Sequence, residues 1–293
     1  MSDPFEALRS PVTPVDPDPA FAARLRSRIE RSFNLPKGVS MSEVSKTRDQ
    51  VERPSAKGRL RHGDIGYVSL WVGDVERAAG FFSSVLGWRS RESEPGGRQV
   101  EGLSLSHGIR GGHPQSTLML CYAVEDLEAA TDRVRAAGGT AEPSRAEPYG
   151  RVSDCVDSQG VYLALYEPPE GVAEGSRQSE AGRSEPGDVT YVTMEVVDSA
   201  EARSFYGSVL GWRFAPGRVP DGWQVEDVIP LVGMAGGRDR ATTIPMYQVE
   251  DIAAAVGLVR SAGGTASDPE VQPYGISSNC TDDQGTRFYL GQH

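Results

Sequence analysis

Few side chains in this 293-residue sequence could do chemistry, and their spacing narrows what that chemistry is. The cysteines Cys121, Cys155 and Cys280 never form the C-x-x-C spacing of a structural zinc site or redox dithiol, so they read as reduced, buried thiols. Of the four histidines, His107 is the best candidate for a metal ligand, whereas His62, His113 and His293 read as exposed and without a role. Glu195 alternates with Thr193 and Tyr191 along a β-prone run, so the three share one face. With Glu195 as base, Tyr191 or Tyr289 as proton donor and Arg287 as oxyanion partner, proton abstraction next to a carbonyl needs no metal. Gly138-Gly139 and Gly236-Gly237 follow a helix or close a strand, whereas a phosphate cradle precedes a helix, so they read as turns.

The elements that must position these residues are duplicated. Ser83-Ser84-Val85-Leu86-Gly87-Trp88-Arg89 recurs as Gly207-Ser208-Val209-Leu210-Gly211-Trp212-Arg213, and Gln99-Val100-Glu101 as Gln224-Val225-Glu226. Ala137-Gly138-Gly139-Thr140 meets Ala262-Gly263-Gly264-Thr265, Pro148-Tyr149-Gly150 meets Pro273-Tyr274-Gly275, and Cys155 falls on Cys280. The two cysteines therefore read as core packing, not nucleophiles. The chain divides into an arm at 1–62, a first copy at 63–167, a polar linker at 168–186 and a second copy at 187–293.

Each copy runs strand, helix, strands, and then repeats that order. A run at 66–72 leads to Asp74, which caps a helix whose Val75, Ala78, Ala79, Phe82, Val85 and Leu86 form an apolar stripe, and Gly87 ends it. Strands are expected around 88–91, 99–105 and 107–110, then at 117–124, before a helix capped by Asp126 that runs to about Ala137. Further strands are expected near Thr140, at 152–156 and at 161–166. In the second copy Asp198 and Glu201 are spaced as a capping box. In the arm, Phe21, Leu25, Ile29 and Phe33 predict a helix over 19–34.

Charge separates arm from repeats. Residues 1–62 hold twelve basic against eight acidic residues, and the remainder holds 18 against 33, a net −15 in a chain of −11 overall. That acidity argues against a nucleic-acid surface. No run approaches the roughly eighteen apolar residues of a membrane helix, and the first residues do not read as a signal sequence, so a cytoplasmic location is expected.

The run Asp74-Val75-Glu76-Arg77-Ala78-Ala79 leading to Phe81-Phe82 and Leu86-Gly87-Trp88, with Val124-Glu125-Asp126 and the turn Asp157-Ser158-Gln159-Gly160, resembles the vicinal oxygen chelate superfamily. This is the glyoxalase, bleomycin-resistance and extradiol-dioxygenase group, and the resemblance covers both copies. It implies an α+β fold of tandem βαβββ modules, two glyoxalase-like half-open barrels, plus the N-terminal helical arm. It does not imply one function, since the superfamily hosts lyases, isomerases, dioxygenases, thiol transferases and cofactor-free binding proteins. Its enzymes hold a divalent metal through His, Glu or Gln on first and last strands. The matching positions here are Tyr67 and Tyr191, Met119 and Ile244, Ala164 and Tyr289, so neither a metal nor another cofactor is expected.

By the same resemblance Tyr67, Ser69, Trp71, Tyr162 and Tyr166 line the cavity of the first copy, and Tyr191, Thr193, Glu195, Arg287 and Tyr289 that of the second. An aromatic wall with polar tips suits a small aromatic or amphipathic molecule. The expected function is metal-independent binding of such a ligand for sequestration, resistance or a biosynthetic step. The alternatives are a lyase or isomerase using the acid–base residues of the second copy, and a scaffold recruiting a protein through the arm. The expected partners are the small molecule and, through the arm, a second copy or another protein, but neither nucleic acid nor membrane.

Overall fold

The computed structural model describes residues 60–147, 149–169 and 184–293, all within one compact unit of the chain. The predicted arm helix at 19–34 and most of the linker lie outside the described residues.

The first domain contains β1 (Ile65–Trp71), α1 (Val75–Leu86), β2 (Arg89–Glu94), β3 (Gly97–Glu101), β4 (His107–Arg110), β5 (Thr117–Ala123) and α2 (Leu127–Ala136). It closes with β6 (Thr140–Ala141), β7 (Arg145–Glu147), β8 (Gly150–Val156) and β9 (Tyr162–Glu167). Its strands form one sheet in the order β2-β3-β4-β1-β5-β9-β8-β6, with β7 on β8. The two βαβββ modules meet where β1 pairs antiparallel with β5, Tyr67 opposite Cys121 and Ser69 opposite Met119.

The second domain repeats the plan with β10 (Val189–Glu195), α3 (Ser199–Leu210), β11 (Phe214–Pro216), β12 (Gly222–Val225), β13 (Leu231–Ala235) and β14 (Thr242–Gln248). It continues with α4 (Ile252–Ser261), β15 (Thr265–Ala266), β16 (Glu270–Gln272), β17 (Gly275–Thr281) and β18 (Arg287–Gln292), its sheet running β11-β12-β13-β10-β14-β18-β17-β15.

The helix ends follow their local chemistry. Asp74 accepts from the amides of Glu76 and Arg77, and Gly87 closes α1 at φ +69°. Asp198 likewise caps α3 through the amides of Ala200 and Glu201, but the capping box is not completed by Glu201. The Asp198 amide donates instead to Oε1 of Gln159, in the other domain, at 3.0 Å. Gln284 does the same for Asp74 at 2.8 Å.

Alternation along β1 sends Val68 and Leu70 to the helix side and Tyr67, Ser69 and Trp71 to the other. The helix-side residues of both sheets belong to one continuous core, in which α1 packs against α4 and α2 against α3. Phe81 of α1 meets Phe288 of β18 edge-on at 6.1 Å. The Ala-Gly-Gly-Thr repeat has its reason here. Gly138 and Gly263 take φ +88° after the helix, and a Cβ on the next glycine, Gly139 or Gly264, would stand 2.9 or 3.0 Å from Phe205 or Phe81 of the opposite domain. Trp88 donates its indole N–H to the Gly187 carbonyl at 3.1 Å, and Trp212 to that of Gly63 at 2.9 Å. The helix sides of the two sheets thus share one core, and in each domain the ligand-type face lies on the other side of the sheet.

Candidate ligand-binding faces

On the first domain's outer face a small cluster of Cys121, Val152 and Ala164 packs with Tyr67, Met119 and Tyr166. The Tyr67 ring lies over Gly108, where any Cβ would collide with its hydroxyl. Burial pushes the Tyr67 hydroxyl up to about 12, partly offset by its bond to Ser69, so it is a phenol at neutral pH. Trp71 stacks on His113, ring centroids 3.9 Å apart and planes 15° from parallel, and Tyr162 leans on it at 5.2 Å. The Trp71 indole N–H is buried without an acceptor among the described residues. Tyr162 is 52% exposed, and the Tyr166 hydroxyl donates to the Tyr149 carbonyl at 2.9 Å.

The expectation that His113 is idle is therefore corrected: its loop folds over Val72, to whose carbonyl the His113 amide donates at 3.0 Å, and this sets the ring on Trp71. Of the other two, His62 is partly buried, whereas His293 is exposed as expected. They bond the carbonyls of Val209 at 3.1 Å and Tyr274 at 2.7 Å, respectively. His107 is also corrected as a ligand candidate. It pairs with Val68 on β1, faces the helices, and is fully buried with Nε2 3.1 Å from the Tyr247 hydroxyl of the second domain. Burial drives it down to about 3, so it stays neutral.

In the second domain the structure brings the four proposed acid–base residues onto one face, though not as a free base. Glu195 is gripped by the Arg287 guanidinium through two bonds, at 2.7 and 3.0 Å, with Arg238 4.0 Å away. The Arg287 bond, against a smaller effect of burial, holds the Glu195 carboxyl below its ordinary range, which weakens it as a proton acceptor. Arg287 itself is half exposed. Burial raises both Tyr191 and Tyr289. Tyr191 lies over Gly233 as Tyr67 does over Gly108, and Tyr289 lies against Thr193 and Arg287.

The two faces occupy equivalent positions. Trp71 ends β1 as Glu195 ends β10, Tyr162 opens β9 as Arg287 opens β18, and His113 bonds Val72 as Arg238 bonds Val196. An aromatic trio in one domain is an ionic trio in the other. Strand parity already placed Trp71 with Tyr162 and Glu195 with Arg287, but the third members, His113 and Arg238, sit on loops whose path the sequence pattern does not give.

The family's metal positions do not fit a metal. Tyr67, Met119 and Ala164, and Tyr191, Ile244 and Tyr289, supply no strong donor set, and among the described residues no group of three His, Cys, Asp or Glu could hold an ion. Nor is any described helix long and apolar enough to cross a membrane.

Residues 64–165 match the family model described as Glyoxalase/Bleomycin resistance protein/Dioxygenase superfamily. The chain is 26% identical over 267 residues to the anthracycline biosynthesis protein DauV of Streptomyces sp. (strain C5), covering 78% of this chain and 93% of that protein. Among solved structures it is similar to the Mn(II)-bound glyoxalase from Novosphingobium aromaticivorans, with TM-score 0.61 and 14% identity over 79% of this chain and 82% of that one. It is also similar to the 2,3-dioxygenase LapB from Pseudomonas sp. KL28, with TM-score 0.59 and 15% identity over 81% and 94%. Residues 64–165 are a domain of the glyoxalase/bleomycin resistance protein/dioxygenase superfamily, and the second sheet repeats its fold within the same chain.

Proposed function

We propose that the protein binds a planar aromatic small molecule on the outer face of its first domain, without a metal, as part of a biosynthetic step on aromatic compounds. The observation that carries this reading is the Trp71–His113 stack beside the half-exposed Tyr162. Stacking supplies contact area for a ring. The likeness to a protein named for anthracycline biosynthesis supports an aromatic polycycle as the ligand class. Tyr67, Ser69 and Tyr166 line the face beside the stack.

Titration with an anthracycline, followed by tryptophan fluorescence and thermal shift, tests the reading. Saturable binding is expected, weakened about tenfold in Trp71→Ala and in His113→Ala, as loss of one ring contact implies. Affinity unchanged in both variants would place the ligand elsewhere. Elemental analysis of protein purified with added nickel, zinc, manganese and iron(II) is expected to find no stoichiometric metal, and a bound equivalent would overturn the metal-independent reading.

A further inference from the structure

Arg287, one of the ionic trio of the second domain, lines a cleft of about 200 Å³ at the seam with the first domain. The loop 114–116 forms one wall, and Arg240, Thr242, Gln284 and Arg287 stand across it. Arg240 is exposed, donates to Gln115 Oε1 at 3.2 Å and forms no ion pair among the described residues. Ser116 Oγ accepts from the Thr286 hydroxyl at 3.1 Å, which leaves its own hydrogen to donate.

The nearby charges do not cancel. Arg238, Arg240 and Arg287 all act on the one carboxylate Glu195, while Asp283 is held by Arg77 at 2.5 Å. Even counting Asp239, which lies between two of the arginines in sequence, the cluster is net positive in a chain whose net charge is −11. A mostly polar wall of this size suits a small hydrated anion better than a ring, and a guanidinium fork matches a carboxylate in two bonds, as the Glu195–Arg287 pair already shows.

We propose that this cleft is a carboxylate-binding site in which Arg240 and Arg287 take the acid group of a small molecule, Glu195 being the internal carboxylate that competes for Arg287. After duplication the equivalent positions have diverged, one set toward rings and the other toward acids. The site goes beyond the aromatic-binding reading and does not depend on it.

The test uses the full chain, with succinate, its uncharged diamide and inorganic phosphate as probes, by isothermal titration at constant ionic strength. Succinate is expected to bind, with the diamide and phosphate at least about tenfold weaker. Arg240→Gln should weaken succinate by about tenfold, whereas Glu195→Gln should tighten it by freeing Arg287. Arg213→Gln, at an exposed arginine paired with Glu226 and Asp227, should leave it unchanged. The proposal is overturned if succinate and diamide bind alike, if phosphate binds as tightly as succinate, or if neither wild type nor Glu195→Gln binds succinate. It is equally overturned if Arg240→Gln has no effect. Trp71→Ala should not alter succinate binding, which separates this site from the aromatic one.

Discussion

Phe82 and Tyr206 occupy equivalent places in α1 and α3, yet they leave two buried aspartates differently satisfied. Each aspartate closes its turn by accepting two backbone amides, Asp157 from Gln159 and Val161, Asp282 from Gln284 and Thr286. The second oxygen of Asp157 accepts from the Tyr206 hydroxyl at 2.9 Å, whereas that of Asp282 is buried without a donor among the described residues. Tyr206→Phe should therefore lower stability by about 1–2 kcal/mol in denaturant unfolding, because it orphans a second buried carboxylate oxygen. Burial raises both aspartates above their ordinary 3.8, against the backbone bonds that lower them. A raised carboxyl contributes stability that is complete below the unfolded value and lost as pH rises through the folded one. Asp282→Asn is accordingly expected to gain stability over wild type above that window, a gain that shrinks toward pH 3.8. Unfolding curves across acid pH check it, and a constant difference at every pH would contradict the assignment.

At the scale of elements, each domain completes the start of a helix in the other. Gln159 accepts from the amides of Val197 and Asp198 and donates to the Asp198 carbonyl at 2.7 Å, while Gln284 accepts from the Asp74 amide and donates to the Asp74 carbonyl at 2.9 Å. Helix starts leave amides that need acceptors, and here a turn 39 or 210 residues away in sequence provides one. Gln159→Ala should cost about 1 kcal/mol. Gln159→Glu should cost more, since it sets a carboxylate oxygen where the amide nitrogen now stands, 2.7 Å from the Asp198 carbonyl oxygen, which repels it. Chemical denaturation of the two variants measures this, and a glutamate variant more stable than the alanine one would show that the donated bond has no weight.

For the whole molecule the consequence is mutual dependence. Phe205, Tyr206, Val259 and Phe288 of the second domain are buried in the same core as Phe81, Phe82 and Leu163 of the first. Separating the domains would expose an apolar face far larger than a soluble monomer carries. Calorimetry should show one cooperative transition for the described unit, and residues 187–293 expressed alone should aggregate or bind a hydrophobic dye. Two resolved transitions would show that the domains are held by less than this shared core.

The duplicated order of strands and helices was legible in the sequence because it depends on local regularities: period-two alternation, helical stripes, capping aspartates and glycines that end helices. Parity also identified Tyr67, Ser69 and Trp71 as sharing a face, and Tyr191, Thr193 and Glu195 likewise, because neighbours two apart on a strand cannot be separated. It could not show that Arg287 grips Glu195, 92 residues away, or that His113 lies on Trp71, since loop conformation and strand order set those distances. His107 has the sequence character of a ligand, and only its place on the helix side, where the two domains share a core, makes it buried packing. Periodicity records which side of a strand a residue takes. What covers that side is decided when elements distant in sequence pack, and here that packing created both the shared core and the charged seam.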